Sequence, residues 1–126
     1  MYRKLVVLLI IIIITIFLQM SNKNENYRVN DIIKTLVRQS ARWTTAARQD
    51  NNPFIAVLHA NYGAAYLWAL KDIATSQEMA DIAGIDPIKF EREISNTQDM
   101  SSFAVLKVCP EFGPKKSYLT SVAGEG

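Results

Sequence analysis

Cysteine and histidine are almost absent from this 126-residue sequence, which contains one of each. Cys109 alone cannot form an internal disulfide, and His59 alone cannot build a histidine-rich metal site. The sequence also has no glycine-rich phosphate-binding loop and no cysteine cluster. Its composition, 49% apolar and 21% charged, excludes wholesale disorder. These features predict a small protein that is not an enzyme and has no metal, cofactor or small-molecule substrate.

Strongly apolar residues are concentrated in one N-terminal block. Residues 5–18 contain thirteen of them and a single threonine. Such a block is worth roughly −4 to −8 kcal/mol of membrane-insertion free energy. A helix over residues 2–20 is about 28 Å long, close to the hydrocarbon thickness of about 30 Å. We therefore predict a single-pass transmembrane anchor at residues 1–20 and a membrane location.

A cleaved secretory signal is the alternative interpretation of the same block, because signals also combine a charged start with a short apolar stretch. The exit sequence at residues 18–23 lacks the small residues that cleavage requires, and the sequence has no Asn-x-Ser/Thr site.

Four cations follow the block within about 20 residues, and two precede it. This asymmetry favours a C-terminal domain on the cytosolic side, in agreement with the lone thiol.

Beyond the anchor, the sequence predicts an all-α fold with an extended C-terminal arm. Residues 21–30 are polar and asparagine-rich, which is typical of a linker. Caps and prolines then divide a helical domain, residues 31–99, into four helices at about 31–49, 53–73, 75–83 and 86–97. Residues 100–126 are predicted to form the arm, in which residues 102–109 make a strand or an extended wrap.

The segment at residues 53–73 is apolar nearly all round. A helix without a polar face is expected at the centre of a bundle, enclosed by its neighbours. A second membrane span is the alternative, but His59 and Asn61 near its middle would be costly in lipid. Gly63 in its interior costs about 1 kcal/mol relative to alanine, which close helix packing can offset.

Three cations, Lys34, Arg38 and Arg42, follow at four-residue spacing along one face of the first predicted helix. The net charge of residues 23–48 is +4, from six cations and two acids, whereas that of residues 50–126 is −4, from six cations and ten acids. Three interpretations are open: a solvated face, a membrane-surface site for anionic lipid, and docking onto the acidic half of another copy or of a partner protein.

Residues 77–94 have the spacing of a helix-turn-helix, with Ala80 where two helices would touch and Gly84 in the turn. Residues 86–99 carry two cations and four acids, so a phosphate backbone would be repelled. We therefore favour a structural helical hairpin, and nucleic acid is a disfavoured partner.

The remaining titratable residues do not form a predicted catalytic set. His59 lies on an apolar helix without a visible partner, so a packed core role is favoured over catalysis. Glu91 and Glu93, two residues apart, cannot face each other on a helix. Aromatic side chains are predicted in the core, and the candidates for an exposed interface anchor are Trp43, Tyr66 and Trp68.

The sequences LVRQSARW at residues 36–43 and NPFIAVLHANYGAAYLWAL at residues 52–70 resemble small, uncharacterised membrane-anchored proteins of large DNA viruses of algae. The resemblance covers residues 31–73, and its motifs are not diagnostic of any chemistry. It implies a viral origin and a role in the virion or its assembly, and it carries over no catalytic or binding residues.

Together these features predict a membrane-anchored structural or scaffolding protein that links a membrane to a protein assembly. Its expected partners are membrane lipid and either another protein or a second copy of the chain. The alternative is a membrane-tethered regulatory or nucleic-acid-binding module that uses the hairpin at residues 77–94.

Overall fold

The computed structural model describes residues 1–113, 119, 122 and 123. It contains four α-helices in chain order, α1 Tyr2–Gln49, α2 Pro53–Ile73, α3 Ser76–Ala83 and α4 Pro87–Val108, and then a 3₁₀ turn, Pro110–Phe112. No β-strand occurs among the described residues. The all-α prediction is therefore confirmed, and so is the presence of one long apolar helix at the N-terminus.

The first helix is continuous for 48 residues, and the predicted linker at residues 21–30 is part of it. The linker prediction is therefore wrong. The first 52 residues contain no glycine or proline, so no residue there forces the chain out of a helix. A helical segment on each side also removes the cost of nucleation, because propagation adds a hydrogen bond for each residue fixed. We call residues 21–30 the stalk; every one of them is exposed.

The starts of α2, α3 and α4 and the end of α3 lie where the capping residues predict them. The Asn52 side chain accepts a hydrogen bond from the Phe54 amide at 3.0 Å. Thr75 and Glu78 form a complete capping box at the start of α3. Gly84 ends α3 in the left-handed conformation at φ 66°, where a side chain would be strained. These contacts are local, and each uses a residue type suited to its position.

The last helix is longer than the sequence predicts. α4 continues to Val108, so the prediction of a strand or extended wrap at residues 102–109 is wrong. Its buried residues, Ile94, Thr97, Ser101 and Val105, recur at helical spacing, and their burial outweighs the β-propensity of the valines. Of the predicted arm, residues 100–108 belong to α4 and residues 110–112 to the 3₁₀ turn, and most of the remainder lies outside the described residues.

The core lies where α2 runs antiparallel to the second half of α1. Ile33 shares an apolar cluster with Leu70, and further along the pair the Ser40 hydroxyl reaches the Gly63 carbonyl oxygen. A Cβ at Gly63 would overlap the Thr44 hydroxyl oxygen and lie 3.1 Å from the Thr44 nitrogen. Only glycine therefore permits this helix separation, which confirms the predicted close packing at residue 63.

Burial covers one face of α2 and leaves the other open. Seven of its residues are buried against α1 and α4, among them Ala60, Ala64 and Leu67. The opposite face is apolar and exposed, so the prediction that α2 is enclosed at the centre of the bundle is wrong. Among the described residues only three other helices are present, one of them, α3, of 8 residues, and these are too few to surround a 21-residue helix.

Candidate functional site

The apolar N-terminal segment and the bundle share a single helix. All side chains of residues 2–20 are exposed, and α1 is the one helix among the described residues that is long and apolar enough to cross a membrane. The stalk then adds about 15 Å of helix before the bundle begins. Near an N-terminus, the same length and composition are also found in signal sequences.

The predicted basic stripe lies on the outer side of α1. Lys34, Arg38 and Arg42 are not buried, and none of them makes an ion pair within the described part of the chain. The Arg42 guanidinium lies 5.9 Å from the centre of the Trp43 ring. Along the helix axis, the stripe lies about 21 to 33 Å beyond Met20, where the predicted span ends.

Aromatic and polar side chains of α1 and α2 meet at the end of the bundle away from the stalk. His59 Nδ1 lies 2.5 Å from an Asp50 carboxylate oxygen. The Trp43 ring lies 5.1 Å from the His59 ring and 5.2 Å, edge to face, from the Tyr62 ring. Asp50 could not be predicted as the partner of His59 from the sequence, because its position depends on the antiparallel alignment of the two helices.

This cluster fixes the histidine but offers little for chemistry. The Asp50 carboxylate orients the His59 ring, as the partner of a general base would. However, an open groove of about 350 Å³ is lined by Asp50, Arg48 and Ser101 and not by His59. The residues described also contain no group of three His, Cys, Asp or Glu side chains that could hold a metal ion. The geometry supports a structural role in joining α1 to α2.

Ion pairs attach α4 to α1 and to α2. The Arg48 guanidinium donates to the Glu93 carboxylate at 2.7 Å, to the Glu93 carbonyl oxygen at 3.0 Å and to the Thr97 hydroxyl at 2.8 Å. The hydrogen bond from Arg48 lowers the pKa of the Glu93 carboxyl, and the positive charge of Arg48 adds to the effect. The Lys71 ammonium donates to Glu91 at 2.6 Å. The two glutamates thus bind cations of different helices and not each other.

The helix-turn-helix-like segment packs onto the bundle. Met79 of α3 is buried in the same apolar cluster as Ile33 and Val37 of α1, and Phe90 at the start of α4 packs against it. The first turn of α4 is capped by the Asp86 side chain. The segment is therefore a helical hairpin whose apolar residues face inward, although Ile88 is 77% exposed.

The predicted interface aromatics occupy different environments. Trp68 on α2 is 57% exposed, and the Lys71 ammonium lies 4.9 Å from its ring centre. Tyr66 on the same helix is half-buried, and Trp43 is half-buried in the cluster with His59. The other large apolar side chains of α2 that are exposed are Phe54, Ile55, Leu58, Tyr62 and Ile73. We call this surface the outer face of α2.

Three features therefore characterise the candidate site: an apolar N-terminal segment long enough to cross a membrane, a helical stalk, and a bundle that presents a basic face on α1 and an apolar face on α2. Comparison with known proteins found no relative of this chain: no protein-family model, no curated protein and no solved structure matches it.

Proposed function

We propose that this protein is a single-pass membrane protein that acts as a non-enzymatic scaffold, linking a bilayer to a protein assembly. The supporting observation is the continuity of α1, in which one half carries the apolar segment and the other half supplies core residues from Ile33 to Ala47. A helix of this kind attaches the bundle to the membrane without an intervening flexible joint. The bundle is thereby held at a set distance from the bilayer surface.

Retention of the anchor is favoured over cleavage as a signal. The exit from the apolar block lacks the small residues that signal cleavage requires. In addition, the helix continues through that exit into the stalk. The excess of cations after the span supports a bundle on the cytosolic side.

The position of the basic stripe favours a protein partner over lipid. At physiological salt, charges interact over about 8 Å. Lys34 lies about 21 Å along the helix axis from Met20. A stalk that stands away from the bilayer therefore keeps the stripe beyond the range of the headgroups. An acidic protein surface, including the acidic part of a second copy, has no such restriction.

Assembly into a virion is the context that we propose for this scaffold, on the basis of the sequence resemblance to membrane-anchored proteins of algal viruses.

The alternative, a tethered nucleic-acid-binding or regulatory module, has support in the helical hairpin formed by α3 and α4. It is weakened by the ionic environment of that hairpin. Glu91 and Glu93 accompany its two cations, Lys89 and Arg92, so a phosphate backbone would gain little.

The test is the mass of the mature chain in a washed membrane fraction. We expect the intact chain, including residues 1–20, to resist alkaline extraction and to dissolve only in detergent. A matched control places two lysines in the span, Ile11→Lys and Ile12→Lys, at a cost of about 5 to 7 kcal/mol; this variant should be released. A water-soluble wild-type product that begins near Ser21 would contradict the proposal.

A second measurement tests the scaffold itself. The detergent-solubilised protein should migrate as a complex that contains either further copies of the chain or shell proteins of the virion. For the alternative module, titration of the solubilised protein with duplex DNA should be flat at physiological salt. Salt-dependent binding there would favour the module over the scaffold.

A further inference from the structure

The outer face of α2 contains a heptad-like stripe, which we call the α2 seam. It consists of Ile55, Leu58, Tyr62, Ala65 and Ala69, spaced alternately by three and four residues. This is the spacing of the a and d positions in a two-stranded coiled coil. All five residues are exposed, and the three large ones have 42 to 44% of their surface accessible. The seam therefore has the pattern of a helix–helix contact, although within the described part of the chain the Tyr62 ring also meets the Trp43 ring edge to face at 5.2 Å.

The chemistry of the seam suits a second copy of the same chain. No charged residue occurs between Phe54 and Leu70, so two copies of this face would not repel each other. Ile55 at an a position and Leu58 at a d position are the pair that favours parallel two-stranded packing. The next d position is Asp72, where two facing carboxylates would end the contact.

Attachment to a common bilayer gives two copies the same direction and the same height. Each chain enters the bundle through α1, and the bundle joins α2 to α1 through Ser40 and Gly63. Identical anchors in one membrane therefore present α2 in parallel, with equal residues at equal distance from the surface. Parallel, in-register pairing is the arrangement that the heptad spacing requires.

We propose that two copies pair in the membrane through the α2 seam, parallel and in register, as a symmetric dimer. This inference rests on the proposed function, because it requires the anchor to be retained. At each layer a residue of one copy faces the same residue of its partner. Trp68 and Phe54 flank the seam at g positions and Tyr66 at an e position, so two of the three predicted interface aromatics lie at its edges.

Because the seam is small, pairing of the two copies depends on their confinement to one membrane. The seam covers residues 55–69, so it is about 22 Å long and about 10 Å wide, and each copy contributes a footprint of about 220 Å². Stable interfaces between soluble proteins usually bury more than about 1,000 Å² in total. Confinement to one bilayer raises the effective concentration of the two copies and compensates for the small footprint.

The experiment uses charge reversal at the centre of the seam in the full-length protein. Two variants, A65E and A65K, each place like charges opposite each other in a symmetric dimer, whereas a mixture of the two places opposite charges there. Copies labelled with donor or acceptor dye at Cys109 are reconstituted into phosphatidylcholine vesicles. Energy transfer is then measured at several protein-to-lipid ratios. Asn96, an exposed helical residue on α4, provides the matched controls N96E and N96K.

We expect the wild type and both Asn96 controls to associate, and we expect A65E alone or A65K alone to associate at least tenfold more weakly. The mixture of A65E and A65K should recover most of the lost energy transfer. Circular dichroism of each variant should match that of the wild type, because residue 65 is exposed and a change there leaves the core intact.

Several results would overturn the dimer. These are a wild type that stays monomeric at every density, seam variants that associate like the wild type, and a mixture that does not recover. Sedimentation of the same vesicles reports whether the chain is retained in the membrane. A retained monomer contradicts the dimer alone and would assign the seam to a different protein, whereas a released chain contradicts the proposed function.

Discussion

The Ser40 hydroxyl donates a hydrogen bond to the Gly63 carbonyl oxygen at 2.7 Å, and both residues are buried. The bond crosses between the helix that carries the apolar N-terminal segment and the helix that carries the exposed apolar face. It is possible because α1 and α2 approach closely at a residue without a side chain. The orientation of the outer face of α2 relative to the apolar N-terminal segment therefore depends on this one crossing.

A methyl group at residue 63 should weaken the bundle. Gly63→Ala gains about 1 kcal/mol of helix propensity but incurs about 1 to 3 kcal/mol of overpacking. A net loss of about 1 kcal/mol in the free energy of unfolding is expected, since the added Cβ meets the Thr44 side chain and backbone. Denaturant unfolding of the detergent-solubilised protein, followed by circular dichroism, measures this change.

The double variant Thr44→Ala/Gly63→Ala is the internal control for that clash. Removal of the Thr44 hydroxyl takes away the nearest obstacle, so the second change should cost less in the Thr44→Ala background than in the wild type. Equal costs in the two backgrounds would show that the Thr44 side chain is not what limits the helix separation.

Acid should weaken the attachment of α4 through Glu93. Its pKa is lower in the folded protein than in the unfolded chain, because Arg48 donates to its carboxylate. The ionised form therefore contributes stability above pH 4.5 that is lost as the pH falls through the lowered folded value. The pKa of Glu78 is also lowered, by hydrogen bonds from the amide and hydroxyl of Thr75, so its contribution has the same sign.

Thermal unfolding between about pH 6 and about pH 3 tests this dependence. The unfolding temperature of the wild type should fall more over that interval than that of Glu93→Gln, which has no carboxylate charge to lose. Glu111→Gln is a suitable control, since Glu111 makes no ion pair with the described residues. Identical pH profiles for the wild type and Glu93→Gln would contradict the role of the Arg48 contact.

Breaking the stalk should separate the anchor from the bundle without unfolding either. Asn24→Pro removes a backbone hydrogen bond and clashes with the preceding turn, at a cost of about 3 kcal/mol to the helix at that place. Residue 24 is exposed, so the core should keep its stability. The distance from dye-labelled Cys109 to labelled headgroups, measured by energy transfer, should become shorter and more broadly distributed than in Asn24→Ala.

The same measurement examines the basic stripe. In vesicles that contain anionic lipid, the wild type and a variant with Lys34, Arg38 and Arg42 changed to Gln should show equal distances, because the helical stalk holds the stripe away from the headgroups. In the Asn24→Pro background, the three cations should draw the bundle toward anionic vesicles. A shorter distance for the wild type alone would indicate that the stripe binds lipid in the intact protein.

Two substitutions of His59 should distinguish how much each of its two contacts contributes to the free energy of unfolding. His59→Ala removes the Asp50 hydrogen bond, worth about 1 kcal/mol, and the contact with the Trp43 ring, worth about 0.5 to 1.5 kcal/mol. His59→Phe keeps only the ring contact. The free energy of unfolding should therefore decrease in the order wild type, His59→Phe, His59→Ala. An unchanged stability of His59→Ala would exclude the structural role of this cluster.

The sequence was most informative where structure depends on near neighbours. Asn52, Thr75 and Gly84 act on backbone groups within a few residues, so their residue types alone indicate where helices begin and end. The apolar block was equally clear, because its character does not depend on the rest of the chain. Gly63 could be identified as a position of close packing, although its partners could not.

Features that depend on distant residues were missed. The stalk is helical because helices on both sides extend through it, and its own composition gives no sign of this. The end of α4 contains β-branched residues, and only burial of Val105 and Ser101 against the bundle reveals a helical period. The Asp50 partner of His59 follows from the alignment of α1 with α2. Composition also could not tell that only one of the two apolar faces of α2 would be covered.

Because the backbone of α1 is unbroken, the length of the stalk sets both the direction in which the bundle faces and its height above the membrane. Each residue added to the stalk would turn the bundle by about 100° about the helix axis and lift it by about 1.5 Å. A single insertion would thus point the outer face of α2 in a new direction, whereas seven added residues would nearly restore the direction at about 10 Å greater height. Natural length changes in this region are therefore expected to occur in steps of whole helical repeats.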